Sequence, residues 1–137
     1  MGGSSPAVLF KDIDVSDVIS EIYIERFRNC GQVCDAIKRI IVHESIFNEV
    51  VENLKQEISK KVVGDPSSEK TQIGSLVAKR QLDLLEGQVK DAIKKGANVI
   101  IGGKVPENMN GAFYEPTILT NITKEMRVWT EEVFGPV

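Results

Sequence analysis

The sequence has few of the residues from which disulfide frameworks and structural metal sites are built. Its 137 residues include two cysteines, Cys30 and Cys34, and one histidine, His43. Two cysteines do not make a disulfide scaffold, and two thiols with one imidazole fall short of the usual ligand set for structural zinc. The cysteines are not spaced as a Cys-x-x-Cys redox pair either. We therefore expect two free thiols and no metal, which directs attention to the reactivity of each cysteine.

Long apolar runs and an excess of positive charge are also absent. The longest apolar stretches, such as 98–101, are far too short to cross a bilayer, and no charged segment followed by an apolar one opens the chain as a signal peptide would. The net charge is -3, and no cluster of Lys and Arg is free of interleaved acids. A nucleic-acid binder would normally present a basic face. We expect no membrane partner, no nucleic-acid partner and a cytoplasmic location.

The sequence does contain an alternating series of short apolar runs and amphipathic segments. Hydrophobic residues make up 42% of the chain and charged residues 27%, which suits one globular core. Apolar and β-branched runs predict strands at 7–10, 39–42, 99–101 and 117–120. Helical spacing predicts helices over 14–29, 45–58 and 79–95. Ser45 is the expected N-cap of the second helix and Gly96 the expected stop of the third. The alternation predicts an α/β fold with a mostly parallel sheet flanked by helices.

Residues 28–36 contain the clearest candidate for a reactive side chain. A helix ends there, a glycine follows, and Cys34 lies on the loop before a strand, where its thiol can be partly exposed. If Cys34 opens a short helical turn, the amides of that turn favour its thiolate and can stabilise an oxyanion on a bound carbonyl. A thiolate that attacks an aldehyde gives a thiohemiacetal, which can pass hydride to a nicotinamide and become a thioester that water hydrolyses. Taken alone, a cysteine at a helix end is more often a small buried hydrophobe.

Several short blocks, in order along the whole chain, resemble those of the aldehyde dehydrogenase superfamily. Gly31-Gln32-Val33-Cys34 resembles the family's Gly-Gln-x-Cys signature. Further similar blocks are found at 2–6 (GGSSP), 42–46 (VHESI), 63–66 (VGDP), 102–103 (GG), 115–117 (EPT) and 131–137 (EEVFGPV). The resemblance implies that residues 1–137 are a partial catalytic domain of an NAD- or NADP-dependent aldehyde dehydrogenase.

The resemblance also implies roles for individual residues. Cys34 would be the nucleophile, with its own backbone amide as one oxyanion donor. Glu132 would hydrogen-bond the nicotinamide ribose, and Phe134 would pack beside the nicotinamide. Without the resemblance, Glu132 would be a solvated acid and Phe134 a core residue. Asn29, just before the signature, is expected to order the loop and to take no part in the chemistry.

Other parts of the family's machinery are not found in this sequence. The glutamate general base would precede Met1, and the asparagine that supplies a second oxyanion donor, the nucleotide-binding domain and the oligomerisation strands are also missing. Gly102-Gly103 lacks the spacing and the following helix of a dinucleotide-binding turn. Both ends look like cuts in a longer chain. We expect the isolated chain to be inactive and the full-length enzyme to be a homo-oligomer, a dimer or tetramer.

The residues around Cys34 bear on the substrate. Ala36-Ile37-Lys38-Arg39 resembles the branch that holds lactaldehyde dehydrogenases and non-phosphorylating glyceraldehyde-3-phosphate dehydrogenases. Some phosphate-accepting members carry an arginine just before the nucleophile. Val33 stands there in this chain and removes one phosphate ligand, which favours a small hydroxyaldehyde such as lactaldehyde. Asp35 borders the expected pocket. It is a candidate acceptor for a hydrogen bond from a substrate hydroxyl and equally a candidate for a solvated helix-start acid.

Three other interpretations stay open at this point. A hydrolase could pair Cys34 with His43, although His43 ends a strand that runs away from the cysteine. Cys30 and Cys34 could form a redox pair, in which a reversible disulfide protects Cys34. Finally, the chain could be a folding or interaction module without catalytic function.

Overall fold

The computed structural model describes residues 4–137, which form strands and helices in the alternation that the sequence predicts. The Gly2-Gly3 part of the first block lies outside these residues. In chain order the elements are β1 Ser5–Leu9, α1 Val15–Phe27, β2 Ile37–Val42, α2 Phe47–Ser59, α3 Lys79–Lys94, β3 Asn98–Ile101, β4 Ile118–Thr120 and α4 Arg127–Thr130, with 3-10 turns at Arg28–Gly31 and Glu44–Ile46. Within residues 4–137, none of the helices combines the length and the apolar character that crossing a bilayer requires.

The strands form two separate pairs. β1 and β2 are parallel, with Ala7 opposite Ile40 and Leu9 opposite Val42, and α1 is the crossover between them. β3 and β4 are antiparallel, with Val99 opposite Leu119. A loop without a helix joins β3 to β4, and such a connection suits antiparallel strands. The α/β class is therefore confirmed, while the second pair departs from the parallel arrangement that we expected.

Among residues 4–137, the three long helices supply half of the buried apolar residues of the core. Asp14 caps α1 by accepting the Ser16 N–H at 2.9 Å. Burial of each large apolar side chain contributes about 1.5–3 kcal/mol to the free energy of unfolding. The buried apolar residues at helical spacing are Val15, Ile19, Ile22 and Phe27 in α1, Val50, Leu54 and Ile58 in α2, and Leu82, Leu85, Val89 and Ala92 in α3.

The helix boundaries correct one prediction. Ser45 does not cap α2, because it lies inside the 3-10 turn Glu44–Ile46. The cap of that turn is His43, whose Nδ1 accepts the Ser45 N–H at 3.2 Å. The predicted stop of α3 is confirmed, since Gly96 has a φ of +98° directly after the C-cap residue Lys95.

An apolar cleft runs between the two strand pairs. β2 and α2 line one side of it, and β4, α4 and the chain end at Val137 line the other. Ile41 and Trp129 are partly exposed there, and Arg39 stacks over the Trp129 ring at 4.5 Å. The cleft leaves one edge of the core accessible to solvent.

Candidate active site

The loop that carries Cys34 begins with a reversal of the chain after α1. Asn29, Cys30 and Gly31 have φ values of +50°, +59° and +70°, three left-handed residues in succession. The Asn29 Nδ2 donates to the Gln32 carbonyl at 3.2 Å, and the Gln32 Nε2 donates to the Asn29 carbonyl at 3.1 Å. The expectation that Asn29 orders this loop is confirmed, since reciprocal side-chain bonds offset part of the cost of the left-handed backbone.

Gly31 is required by close packing as well as by its φ. A Cβ at this position would collide with the carbonyl oxygen of Gly135. The loop before Cys34 therefore rests backbone to backbone on the segment 131–137. Any side chain at residue 31 would push these two parts of the chain apart.

Gln32 ties the same loop to the connection between α2 and α3. Its Oε1 accepts the Val77 N–H at 2.8 Å, and its Nε2 also lies 3.4 Å from the Ser75 carbonyl. The glutamine of the Gly-Gln-x-Cys stretch is thus a structural brace. The turn that contains Cys34 follows directly after this fixed residue.

Cys34 lies in a single turn that leads into β2. The Ala36 N–H donates to the Val33 carbonyl at 3.2 Å, and Ala36 is 2% exposed, which anchors the turn. Cys34 does not open a helical turn, so the array of helical amides considered above is not formed. Its side chain is exposed, whereas Cys30 is 3% exposed and burial raises the pKa of the Cys30 thiol to about 12. The two thiols therefore differ sharply in their access to reagents and substrates.

Cys34, Glu132 and Phe134 line one open hollow. Cys34 comes from the turn before β2, while Glu132 and Phe134 come from the irregular segment after α4. The remaining lining residues are Gln81, Leu84 and Gln88 from α3, and Glu131. The structure thus brings Cys34 together with two residues that lie about a hundred positions later in the sequence.

The sequence of residues 1–137 matches the protein-family model described as the aldehyde dehydrogenase family. The chain belongs to the aldehyde dehydrogenase family. It is 41% identical over 136 residues to 3-sulfolactaldehyde dehydrogenase of Priestia aryabhattai, covering 99% of this chain and 28% of that protein. It is also 41% identical over 137 residues to an NADP(+) succinate-semialdehyde dehydrogenase of Deinococcus radiodurans, covering 100% of this chain and 28% of that protein.

Solved structures agree with this assignment. Succinate-semialdehyde dehydrogenase from Burkholderia pseudomallei superposes with a TM-score of 0.95 at 32% identity, over 99% of this chain and 28% of that chain. Betaine aldehyde dehydrogenase from Staphylococcus aureus, in complex with NAD+, superposes with a TM-score of 0.94 at 32% identity, over 100% and 28%. The chain spans little more than a quarter of the length of these relatives.

Val33 and Asp35 flank Cys34 in the sequence but do not line the hollow. Val33 is half-buried. Asp35 is exposed and pairs with Arg28 at 2.7 Å. An exposed pair of this kind contributes little to stability. The assignment of Val33 and Asp35 to the substrate pocket stays a prediction.

His43 lies at the far end of β2 from Cys34. The six residues of β2 span roughly 20 Å when extended, and the His43 Nδ1 is engaged with the Ser45 Oγ at 2.9 Å. It does not line the hollow. This geometry argues against a Cys34–His43 hydrolase. In the part of the chain that the structure describes, no group of three or more His, Cys, Asp or Glu side chains could hold a metal ion.

Sequence reasoning overlooked the polar residues that surround the irregular segment. Gln81 and Gln88 lie on the inward face of α3, seven residues apart on either side of Leu85. Arg26 occupies a position of the buried stripe of α1, four residues after Ile22. A polar or charged residue at a position where the helical spacing calls for an apolar one is the signal that could have revealed them.

The charges near the hollow are fixed by α4. Arg127 donates to both carboxylate oxygens of Glu131, at 2.7 and 2.9 Å. These hydrogen bonds from Arg127, with one from Gln88, hold the pKa of Glu131 below its ordinary value. Glu131 therefore stays ionised and serves as a structural acid beside Glu132.

The residues of the hollow fit the nicotinamide ribose end of NAD or NADP. A carboxylate such as that of Glu132 accepts hydrogen bonds from ribose hydroxyls, and the ring of Phe134 offers an apolar face to a flat heterocycle. Both lie beside the exposed thiol of Cys34. The lining residues contain the groups that this half of the cofactor needs.

Proposed function

We propose that this chain is the nucleophile-bearing part of the catalytic domain of a longer NAD(P)-dependent aldehyde dehydrogenase, which oxidises a small aldehyde to a carboxylic acid. The observation that carries the proposal is the shared hollow of Cys34, Glu132 and Phe134 in a chain of this family. Because the chain covers 28% of the length of its relatives, the activity is assigned to the full-length enzyme. We expect the isolated chain to be inactive.

The covalent chemistry starts at Cys34. Its Sγ, as thiolate, attacks the aldehyde carbon, the C=O π bond breaks, and the oxyanion of the resulting tetrahedral thiohemiacetal accepts a hydrogen bond from the Cys34 N–H. Bound NAD or NADP would supply the hydride acceptor for that carbon. The thioester left on Cys34 is hydrolysed by water to release the acid. The base that activates this water and a second oxyanion donor come from outside residues 1–137.

Two residues position the cofactor in this proposal. Glu132 accepts hydrogen bonds from the nicotinamide ribose, and Phe134 packs beside the nicotinamide ring. Both project from one segment that touches the Cys34 loop at Gly31 and Gly135. The same segment would therefore hold the nicotinamide end of the cofactor near the carbon bound to Cys34.

The proposed substrate is a small hydroxyaldehyde such as lactaldehyde. The resemblance of Ala36-Ile37-Lys38-Arg39 to the lactaldehyde branch supports it, and so does the similarity to a 3-sulfolactaldehyde dehydrogenase. Asp35 is the proposed partner of a substrate hydroxyl. A non-phosphorylating glyceraldehyde-3-phosphate dehydrogenase is the second candidate, and Val33 disfavours it because it cannot bind a phosphate.

The full-length enzyme is proposed to be a cytoplasmic homo-oligomer, a dimer or tetramer. Free Cys30 and Cys34 suit a reducing compartment. The choice between NAD and NADP depends on residues outside 1–137.

The replacement Cys34→Ala in the full-length enzyme tests the catalytic proposal. We expect aldehyde oxidation to fall by at least about a thousandfold, because no other group in the hollow can form the thioester. Steady-state kinetics with lactaldehyde, glyceraldehyde 3-phosphate and succinate semialdehyde would measure the loss and rank the substrates. Cys30→Ala is the control and should retain activity per folded molecule. Undiminished oxidation by the Cys34→Ala enzyme would refute the proposal.

A further inference from the structure

The segment 131–136 has no regular secondary structure, yet every one of its carbonyl groups accepts a hydrogen bond from another part of the chain. Its own residues form neither a helix nor a strand. The donors, in order from residue 131 to residue 136, are Lys38 Nζ, Gln88 Nε2, Arg26 Nη2, Gln81 Nε2, Arg26 Nη2 again, and the Thr117 N–H. Buried carbonyl groups need donors, and here side chains supply nearly all of them.

The donors alternate between two sides of the segment. The carbonyls of Glu132 and Phe134 accept hydrogen bonds from the glutamines of α3, at 2.9 and 2.8 Å. The carbonyls of residues 131, 133 and 135 accept from β2 and α1. Alternate carbonyls of an extended chain point in opposite directions, so these side chains stand where neighbouring strands would be.

The side chains of the segment alternate in the same way. Glu132 and Phe134 line the hollow with Cys34, whereas Val133 is 4% exposed and lines the apolar cleft on the other side. The donors that hold the carbonyl groups therefore also fix which side chains face the hollow. A shift by one residue would turn Glu132 and Phe134 away from Cys34.

Arg26 is the unusual member of this set. It is 6% exposed, its Nε has no hydrogen-bond partner, and among residues 4–137 it forms no salt bridge. Its Nη2 donates to the carbonyls of Val133, at 3.0 Å, and Gly135. Burial lowers the pKa of Arg26 to about 10. A buried charge without a carboxylate is costly, so stability alone does not explain an arginine here.

Arg26 also lies at the junction of the two parts of the site. It belongs to the last turn of α1, which leads directly into the loop that carries Cys34. The segment that it binds supplies Glu132 and Phe134 and rests on Gly31. One guanidinium thus connects the helix before the nucleophile to the segment that faces the cofactor.

We propose that Arg26 is a positioning residue, which holds the carbonyls of Val133 and Gly135 and so sets Glu132 and Phe134 in register with Cys34. This role rests on the proposed function of those three residues. Gln88 holds the same segment from the opposite side through the Glu132 carbonyl. Displacing an acceptor ring by about 1 Å can cost on the order of a hundredfold in rate, so such a role affects hydride transfer without direct contact.

The test compares Arg26→Met, Arg26→Lys and Gln88→Met in the full-length enzyme, with Lys90→Met as the control. Lys90 is an exposed cation of α3 that pairs with Glu86 and lies outside the site. The readouts are KM for the cofactor, kcat, the primary isotope effect with aldehyde deuterated at the reacting carbon, and Tm. Hydrogen exchange of residues 131–137 is followed in the same proteins.

We expect Arg26→Met to raise KM for the cofactor and lower kcat, each by roughly tenfold, and to increase the isotope effect because hydride transfer becomes slower. Tm should change little, because removal of a buried charge that has no carboxylate partner offsets the loss of the hydrogen bonds to the Val133 and Gly135 carbonyls. Arg26→Lys should lie between Arg26→Met and the wild type, Gln88→Met should show the same kinetic pattern, and Lys90→Met should show none of it.

The proposal is overturned if Arg26→Met keeps the wild-type KM and isotope effect, or if its only effect is a lower Tm with a matching loss of folded enzyme. Should Arg26→Met fail to fold, Arg26→Lys and Gln88→Met decide by the same kinetic criteria. A wild-type enzyme that oxidises no aldehyde would refute the proposed function instead. In that case the hydrogen exchange of residues 131–137 still decides whether Arg26 holds the segment, because faster exchange in Arg26→Met supports it and unchanged exchange refutes it.

Discussion

At the residue scale, the two cysteines differ in exposure although they lie only four positions apart in the sequence. Cys30 is buried in the left-handed turn after α1, and Cys34 is exposed one turn later. The pKa of the Cys30 thiol is raised to about 12 by burial, so this group stays protonated over the range in which ordinary thiols ionise. Reactivity in this part of the chain therefore belongs to Cys34.

Alkylation with iodoacetamide across a pH series tests this difference. We expect Cys34 to be modified in the folded chain and Cys30 to react only after unfolding, since the Cys30 thiol is both inaccessible and protonated at pH values near 8 to 9, about the ordinary thiol pKa. Peptide mass spectrometry would follow each cysteine separately. His43→Ala is the control and should leave the Cys34 rate unchanged. Equal rates for both thiols in the folded chain would contradict the structure.

At the element scale, the turn between α1 and β2 determines where the nucleophile lies. The turn keeps its position for two reasons. Gly31, without a side chain, lets the backbone contact the carbonyl of Gly135, and Gln32 forms hydrogen bonds to the backbone of 75–77. The hydrogen bonds that position Cys34 are thus made largely by the residues before it. This accounts physically for the glycine and the glutamine of the signature.

The replacement Gly31→Ala probes this contact, with Gly96→Ala as the matched control. Both glycines have positive φ, but a Cβ at Gly96 would meet nothing within 4 Å. We expect Gly96→Ala to cost about 1 kcal/mol from backbone strain, and Gly31→Ala to cost several times more because it also forces two backbones apart. Denaturant unfolding monitored by circular dichroism measures both. Equal costs would show that residue 31 has room for a side chain.

At the scale of the whole molecule, the apolar cleft between the strand pairs exposes large hydrophobic side chains, among them Ile41, Phe47 and Trp129. β2 and β4 line it without pairing with each other. Apolar surface of this kind in an isolated chain promotes binding to other apolar surfaces. The isolated chain is therefore expected to self-associate.

Sedimentation velocity on chain 1–137 over a concentration series tests this expectation, together with binding of an environment-sensitive apolar dye. We expect association and dye binding to decrease in Ile41→Lys, because a charge then enters the cleft. Val77→Lys is the matched control, since Val77 is 74% exposed but does not line the cleft. A chain that stays monomeric and binds no dye, or two variants that behave alike, would show that the cleft does not drive association.

The sequence by itself determined the family, the α/β class and the positions of the long helices. These follow from local information: blocks of adjacent residues, apolar periodicity in α1, α2 and α3, and the glycine stop at Gly96. The start of α2 could not be predicted from the sequence, because an imidazole cap and a 3-10 turn at Glu44–Ile46 have no strong local signal. The antiparallel pairing of β3 with β4 also depends on contacts that periodicity does not report.

Only the tertiary structure decided how the site is assembled. It placed Glu132 and Phe134 beside Cys34 and left Val33 and Asp35 outside the hollow. It also showed the carbonyls of 131–135 held by side chains from elements as distant in sequence as α1 and α3. Such contacts join residues up to about a hundred positions apart, and no local pattern encodes them, because the donor and the acceptor meet only when the core has packed.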